Sequence, residues 1–194
     1  MKTIYLLIMI LLGYSHLTLA QQAVYRGTGQ ISFSATAPLD LIRGTSTEIT
    51  GFIDMQTGKL SFSVPVSSFQ FANSLMQEHF NQKYMESGRF PKATFTGKVK
   101  SFQQKSVQEV TAHGTLTIHG VEQRRQVKGT LTQQGDRLYL KASFVVRTGD
   151  HNIKSPGLVD DSMAERIDTQ LEMLLLPTQN RQGIISLNQK KRVK

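Results

Sequence analysis

The sequence predicts an all-β chain of about eight antiparallel strands, with a short helix and a loop with a helical turn covering one end. Three observations carry this. Apolar and polar residues alternate with period two along most of the chain. Short glycine-bearing turn signals separate the alternating runs. One helical pattern, between Phe69 and Val99, makes the longest interruption. Eight strands with one apolar face form a sandwich or a closed barrel. Several runs look about 8–11 residues long against a usual strand of about 5–6. Long strands favour a tilted barrel, whose interior can hold one small ligand.

In the first run Ile31, Phe33 and Ala35 alternate with Ser32, Ser34 and Thr36. A second strand fits Thr47 to Met55. The third carries Leu60, Phe62, Val64 and Val66, the fourth Ala93, Phe95, Gly97 and Val99. The fifth carries Val110, Ala112, Gly114, Leu116 and Ile118 against outward Thr111, His113, Thr115 and Thr117. A sixth fits Arg124 to Thr132. The seventh carries Leu138, Leu140, Ala142, Phe144 and Val146, the last Ile167, Leu171, Met173 and Leu175. Turns fall at Gln56-Thr57-Gly58-Lys59, His119-Gly120 and Gln134-Gly135-Asp136, the first and last as short hairpins. The inward set mixes large residues with Gly and Ala, which suits a packed core or a cavity equally.

The helix follows from local chemistry. Ser74 with Gln77 three residues on makes an S-x-x-Q capping box. Leu75, Met76, Phe80 and Tyr84 share one face, and Gly88 and Pro91 stop the helix. Such a helix plugs one end of a sheet core or frames a ligand entrance, and spacing favours the plug. A second irregular segment, Asp150 to Arg166, contains Pro156-Gly157 and a Ser162/Glu165 capping box, which predicts a loop and a helical turn.

Residues 1–20 read as a secretory signal: Lys2, the apolar run Ile4–Leu12, then small residues before a cleavage site after Ala20. The run is short for a membrane span. The barrel domain is then expected over residues 21–176. Residues 177–194 form a basic tail with Lys190, Lys191, Arg192 and Lys194. Its expected role is solvation, with transient contact to a membrane surface as the sharper alternative. The sequence has no cysteine, so disulfides, zinc thiolates and cysteine nucleophiles are excluded. The net charge of +9 attracts anions generally. Without an aromatic–basic platform, no nucleic-acid partner is expected.

Catalytic motifs are missing: no G-x-S-x-G elbow, H-E-x-x-H, phosphate loop or calcium loop. Gly27-Thr28-Gly29 opens a strand rather than a helix. The spacing of His79, His113, His119 and His151 matches no local metal site. His119 falls in a turn, where ordinary hydrogen bonding is its expected role. Neither a cofactor nor a metal is expected.

Three blocks suggest a family. MQEHFNQKYMESGRFPKATFTGKV, GTLTIHGVEQRRQVKGTL and LKASFVVRTGDHNIKSPGLVDDSMAERIDTQLEML together resemble the YceI-like family, in its order, over about Val24 to Leu176. The most specific pieces are F-P-K-A-T-F at Phe90–Phe95 and G-T-L-T-I-H-G-V at Gly114–Val121. The resemblance implies a lipocalin-like eight-stranded antiparallel barrel. It further implies an exported, periplasmic, non-enzymatic carrier enclosing a polyisoprenoid lipid such as an isoprenoid quinone or polyprenyl phosphate. It supplies no catalytic residues.

An isoprenoid chain needs a dry apolar tunnel, since burial yields about 25 cal/mol per Å² of apolar surface. The candidate lining is the inward set Phe33, Phe62, Val64, Phe95, Leu116, Ile118, Phe144 and Val146. Phe69, Phe71, Met76 and Phe80 are the candidates for closing the mouth. For any one of them, core packing is the simpler role. The competing expectations are a stress-related interaction protein with a side-chain-filled barrel and, last, an enzyme acting on an apolar substrate. Pairing into a homodimer remains open.

Overall fold

The computed structural model describes residues 24–36, 41–100, 102, 105–153 and 165–178. Eight strands follow one another around a closed antiparallel barrel. They are β1 (Val24–Thr36), β2 (Leu41–Asp54), β3 (Lys59–Pro65), β4 (Lys92–Val99), β5 (Val107–Ile118), β6 (Val121–Gln134), β7 (Arg137–Arg147) and β8 (Arg166–Pro177). Closure comes from β1 against β8, in register from Tyr25↔Pro177 to Ser34↔Asp168. Gly27 and Gly29 permit it, because a Cβ at either would run into a β8 carbonyl oxygen, of Leu174 or Glu172. The sandwich alternative is therefore set aside.

β2 starts at Leu41, earlier than the alternation suggests. The β1–β2 register jumps from Gly29↔Ile49 to Ile31↔Ser46. This bulge places buried Ser46 and Ile49 on the same inner face although three positions separate them. A period-two reading loses phase there and sees only the second half of the strand. His119 and Gly120 form a two-residue hairpin, both at positive φ, 52° and 73°, with Ile118↔Val121 closing it.

The antiparallel order sorts the connections onto two ends. β2–β3, β4–β5 and β6–β7 turn at one end. The β3–β4 segment, the 119–120 turn and the β7–β8 connection lie at the other. At the first end Ile53, Leu131, Leu138 and Leu175 are almost completely buried, with Tyr25, Leu60 and Val99 around them.

The segment between β3 and β4 holds α1 (Ser74–His79), which continues as a π-type turn over Phe80–Tyr84. Its cap differs from the expected capping box. Asn73, in extended conformation, accepts from the backbone N–H of Leu75 and Met76. Gln77 reaches back across the chain instead: its Nε2 donates to the Phe69 carbonyl (2.7 Å) and its Oε1 accepts from Phe71 N–H (3.2 Å). Leu75 also departs from its expected face and is 58% exposed. Met76, Phe80 and Tyr84 are spaced by four and stay on one line, whereas Leu75 lies a further 100° round toward solvent. The second irregular segment begins with a 3-10 turn, Gly149–His151. The Ser162 capping box and the 1–20 signal lie outside the described residues, as does the tail beyond residue 178.

Candidate functional site

The barrel interior is not filled. A cavity of about 270 Å³ runs through it toward the helix-covered end. Among the described residues its walls are apolar side chains from all eight strands and from the segments at the covered end, interrupted only by Ser63, Thr94, Thr148, Thr169 and Tyr84. No charged side chain among the described residues lines it. A space so walled stays dry and receives apolar groups, since water there would lack its two to four polar partners.

All twelve residues singled out in the sequence border this cavity. Phe62, Val64, Leu116 and Val146 are buried in its wall, and Phe33, Phe95, Ile118 and Phe144 are half-buried. Phe69, Phe71, Met76 and Phe80 stand at the covered end. Four rings meet there. Phe33 lies 5.3 Å from Phe69, 5.8 Å from Phe71 and 5.6 Å from Phe80 between centroids, and Phe71 lies 4.8 Å from Phe80. Their placement is built from the backbone. Gln70 makes a two-way bridge with Thr45 of β2 (3.1 and 2.8 Å), so the extended 69–71 segment alternates Phe in, Gln out, Phe in. Gly44 next door has no Cβ, and one there would sit 2.7 Å from the Phe33 ring and 2.9 Å from that of Phe71. Buried Ser46 holds Ser68 (2.6 Å), which donates to the Pro65 carbonyl, and so fixes where the chain leaves β3.

This geometry matches a known family. A YceI-like domain accounts for residues 24–173. The chain belongs to the YceI-like family. Solved structures share the fold. BcnA of Burkholderia cenocepacia has TM-score 0.66 at 16% identity, covering 75% of this chain and 95% of its own. A polyisoprenoid-binding domain from Saccharophagus degradans has TM-score 0.69 at 11% identity, covering 81% and 100%. A Campylobacter jejuni YceI protein has TM-score 0.56 at 15% identity, covering 85% and 90%. Comparison with curated proteins finds no match.

In this YceI-like barrel the mouth also has a polar side that the sequence reading leaves unassigned. His119 sits between three connections. One ring nitrogen faces the Glu86 carboxylate (3.1 Å), the other the His151 carbonyl (3.3 Å), and its ring packs on Phe90 at 4.3 Å. Its expected role of ordinary hydrogen bonding holds. Glu86, His119 and Asn152 are the three non-glycine residues with positive φ among the described residues, and all three fall in this corner. His113 is exposed on the outer wall, as expected. His151 is fully buried and donates through Nδ1 to the Val121 carbonyl (3.1 Å). Burial pushes its pKa down, and the Val121 hydrogen bond opposes that.

Beside it, Arg125 forms an ion pair with Asp150, and Gln123 Nε2 donates to the Asp150 carbonyl (2.7 Å). Gln123 and Arg125 share the inward parity of Val127, Gly129 and Leu131. Extending that alternation from Leu131 back to Val121 is the sequence signal that finds them. Among the described residues no group of His, Asp and Glu is placed to hold a metal, and no helix is long and apolar enough to cross a membrane.

Proposed function

We propose that this chain is an exported, non-enzymatic binding or carrier protein that holds a long apolar lipid of the polyisoprenoid type in the barrel interior. The observation that carries the reading is the cavity, walled on every strand by apolar side chains and capped by four phenylalanines. Its volume lies just under the ~300–1,000 Å³ of drug-sized pockets. That suits a thin chain better than a bulky ring system. Each methylene drawn in contributes about 0.8 kcal/mol, so affinity grows with chain length without dedicated polar contacts. Met76 at the mouth adds a pliable surface that adapts to a branched chain. Family membership and the polyisoprenoid-binding fold relative support the ligand class. Export through residues 1–20 to a periplasmic setting is part of the proposal, as is membrane-surface contact by the basic tail. The cavity favours this reading over a barrel filled by its own side chains.

The test is gentle purification followed by native mass spectrometry and lipid extraction. The expected result is a substoichiometric or full adduct whose mass is that of a prenyl-chain lipid. Ligand-free protein that also fails to take up added prenyl lipids would refute the proposal.

A further inference from the structure

We propose that the Gly149–His151 turn is a proton-released latch, which closes the mouth end of the seam between β6 and β7 while His151 is neutral and lets go when that ring takes up a proton. The inference rests on the carrier reading above and adds the condition under which the bound chain leaves. It starts from a gap in the sheet. The β6–β7 ladder runs from Gln134↔Arg137 only as far as Gly129↔Ala142. Both strands continue past that point with their other neighbours, β6 to Val121 against β5 and β7 to Arg147 against β8. Val127 of β6 and Phe144 and Val146 of β7 stand along this stretch and line the cavity. Beyond the ladder, the turn that follows β7 is tied to β6 by side chains. Gln123 Nε2 donates to the Asp150 carbonyl (2.7 Å), Arg125 pairs with Asp150, and His151 Nδ1 donates to the Val121 carbonyl (3.1 Å).

The latch meets the cavity through its flanks. Thr148, just before the turn, and Ile153, just after it, both line the cavity. The turn is also bonded within itself. The N–H groups of His151 and Ile153 donate to the Thr148 carbonyl (3.1 Å each), and that of Asn152 to Gly149 (3.3 Å). A segment so closed on itself moves as one piece, and lifting it takes both wall residues with it.

His151 holds the turn down in its neutral form. The Val121 carbonyl only accepts, so Nδ1 carries the proton and the neutral ring keeps Nε2 as a bare acceptor. Nε2 is buried and meets no hydrogen-bond partner among the described residues. A proton added there makes a buried N–H without an acceptor and a charge without water, and both are costly. The charged groups that face the ring are Arg125 of β6 and Asp150 of the turn itself. His119 of the neighbouring hairpin turns one ring nitrogen to the His151 carbonyl (3.3 Å) and the other to Glu86 of the β3–β4 segment. Burial is the largest influence on the His151 pKa and lowers it. Arg125 adds to that, while the Val121 carbonyl and Asp150 oppose it without reversing it. Lifted into water, the ring returns to its ordinary value of 6.5. Closure is then complete above about pH 6.5 and weakens as the pH falls toward the closed-state value, by up to about tenfold per pH unit.

The test loads the full chain with diphenylhexatriene, an apolar rod that fluoresces only out of water. It follows the dye's transfer to vesicles of neutral phosphatidylcholine that carry an energy-transfer acceptor. The transfer rate should rise about tenfold from about pH 7.5 to about pH 5.5. His151→Asn keeps a donor at the Nδ1 position but does not titrate, so its rate should stay flat over this range. Arg125→Met removes one tie and the neighbouring cation, so it should raise the rate at neutral pH by about threefold and flatten the slope. It carries the test if His151→Asn does not fold. Hydrogen exchange, corrected for the intrinsic effect of pH, should show residues 148–153 losing protection in acid while β1 and β8 keep theirs. A rate flat with pH in the parent chain, a slope that survives His151→Asn, or protection lost from all strands together overturns the latch, while dye binding leaves the carrier reading standing. Failure to bind either the dye or squalene overturns both.

Discussion

The two ends of the barrel are built from different materials. At the short-turn end, Ile53, Leu131, Leu138 and Leu175 interlock with exposures of 0–1%. At the other end the stopper is aromatic and looser. Phe33 and Phe71 remain half-buried, and the rings meet at tilted angles under a six-residue helix and a π-type turn. Aliphatic side chains from hydrogen-bonded strands cannot move without breaking the ladder. Phe33 is fixed on β1, but Phe69, Phe71 and Phe80 are carried on the β3–β4 segment and can swing with it, and local opening favours segments with few buried contacts. On the carrier reading proposed above, the difference gives stability to one end and access to the other.

The largest test of that division is Leu175→Ala, at a side chain that is fully buried and is not among the residues lining the cavity. A fully buried leucine in a strand should cost about 2–5 kcal/mol, read as a lower urea midpoint, with lipid uptake per folded molecule preserved. Should uptake fall as much as stability, the ends are not separate. A pH titration comes next. The folded-state pKa of His151 lies below its ordinary value of 6.5 because the ring is buried, with Arg125 adding to the shift. Stability is then full above about pH 6.5 and falls below it, as the unfolded chain takes up a proton that the folded chain refuses. Thermal melts across this range should show the slope, and His151→Gln should remove it. A melt flat with pH would detach this corner from the fold's stability.

Asn73→Ala should cost about 1 kcal/mol by removing the cap of α1. It sharpens the comparison if hydrogen exchange speeds up across residues 69–86 while β7 and β8 stay protected. The smallest effect is expected from Leu75→Ser, within about 0.5 kcal/mol, since the side chain faces solvent. A larger loss in the melt would mean that Leu75 packs on the barrel after all.

Strand identity was legible in the sequence because period two is a direct projection of the pleat. The inward sets of β3, β4, β5 and β7 fall where alternation puts them. The reading lost phase at Ser46–Ile49, where a bulge carries two inner residues across an odd spacing. It misjudged the helix cap because an Asn at 73 and a Ser at 74 satisfy the same rule, and only the backbone conformation chooses between them. The twelve wall residues surround one cavity, but the emptiness of that cavity is a property of all strands together and no single run encodes it. Arg125 and Gln123 escaped notice because β6 is mostly polar, and inward polar residues break the binary pattern at the rim.

The glycines of β1 have a consequence for how the molecule comes into being. β1 and β8 stand at opposite ends of the described chain, yet they share the ladder that closes the barrel. Until β8 arrives, both strands present unpaired edges, the feature by which sheets recruit other chains. Pairing across so long a separation is slow, because loop-closure entropy must be overcome before the contacts form. Gly27 and Gly29 make the last join fit, and each also weakens β1 as an isolated strand. The barrel therefore has a late, vulnerable moment, and a side chain at either glycine would prolong it and would also push the β8 backbone away in the finished fold.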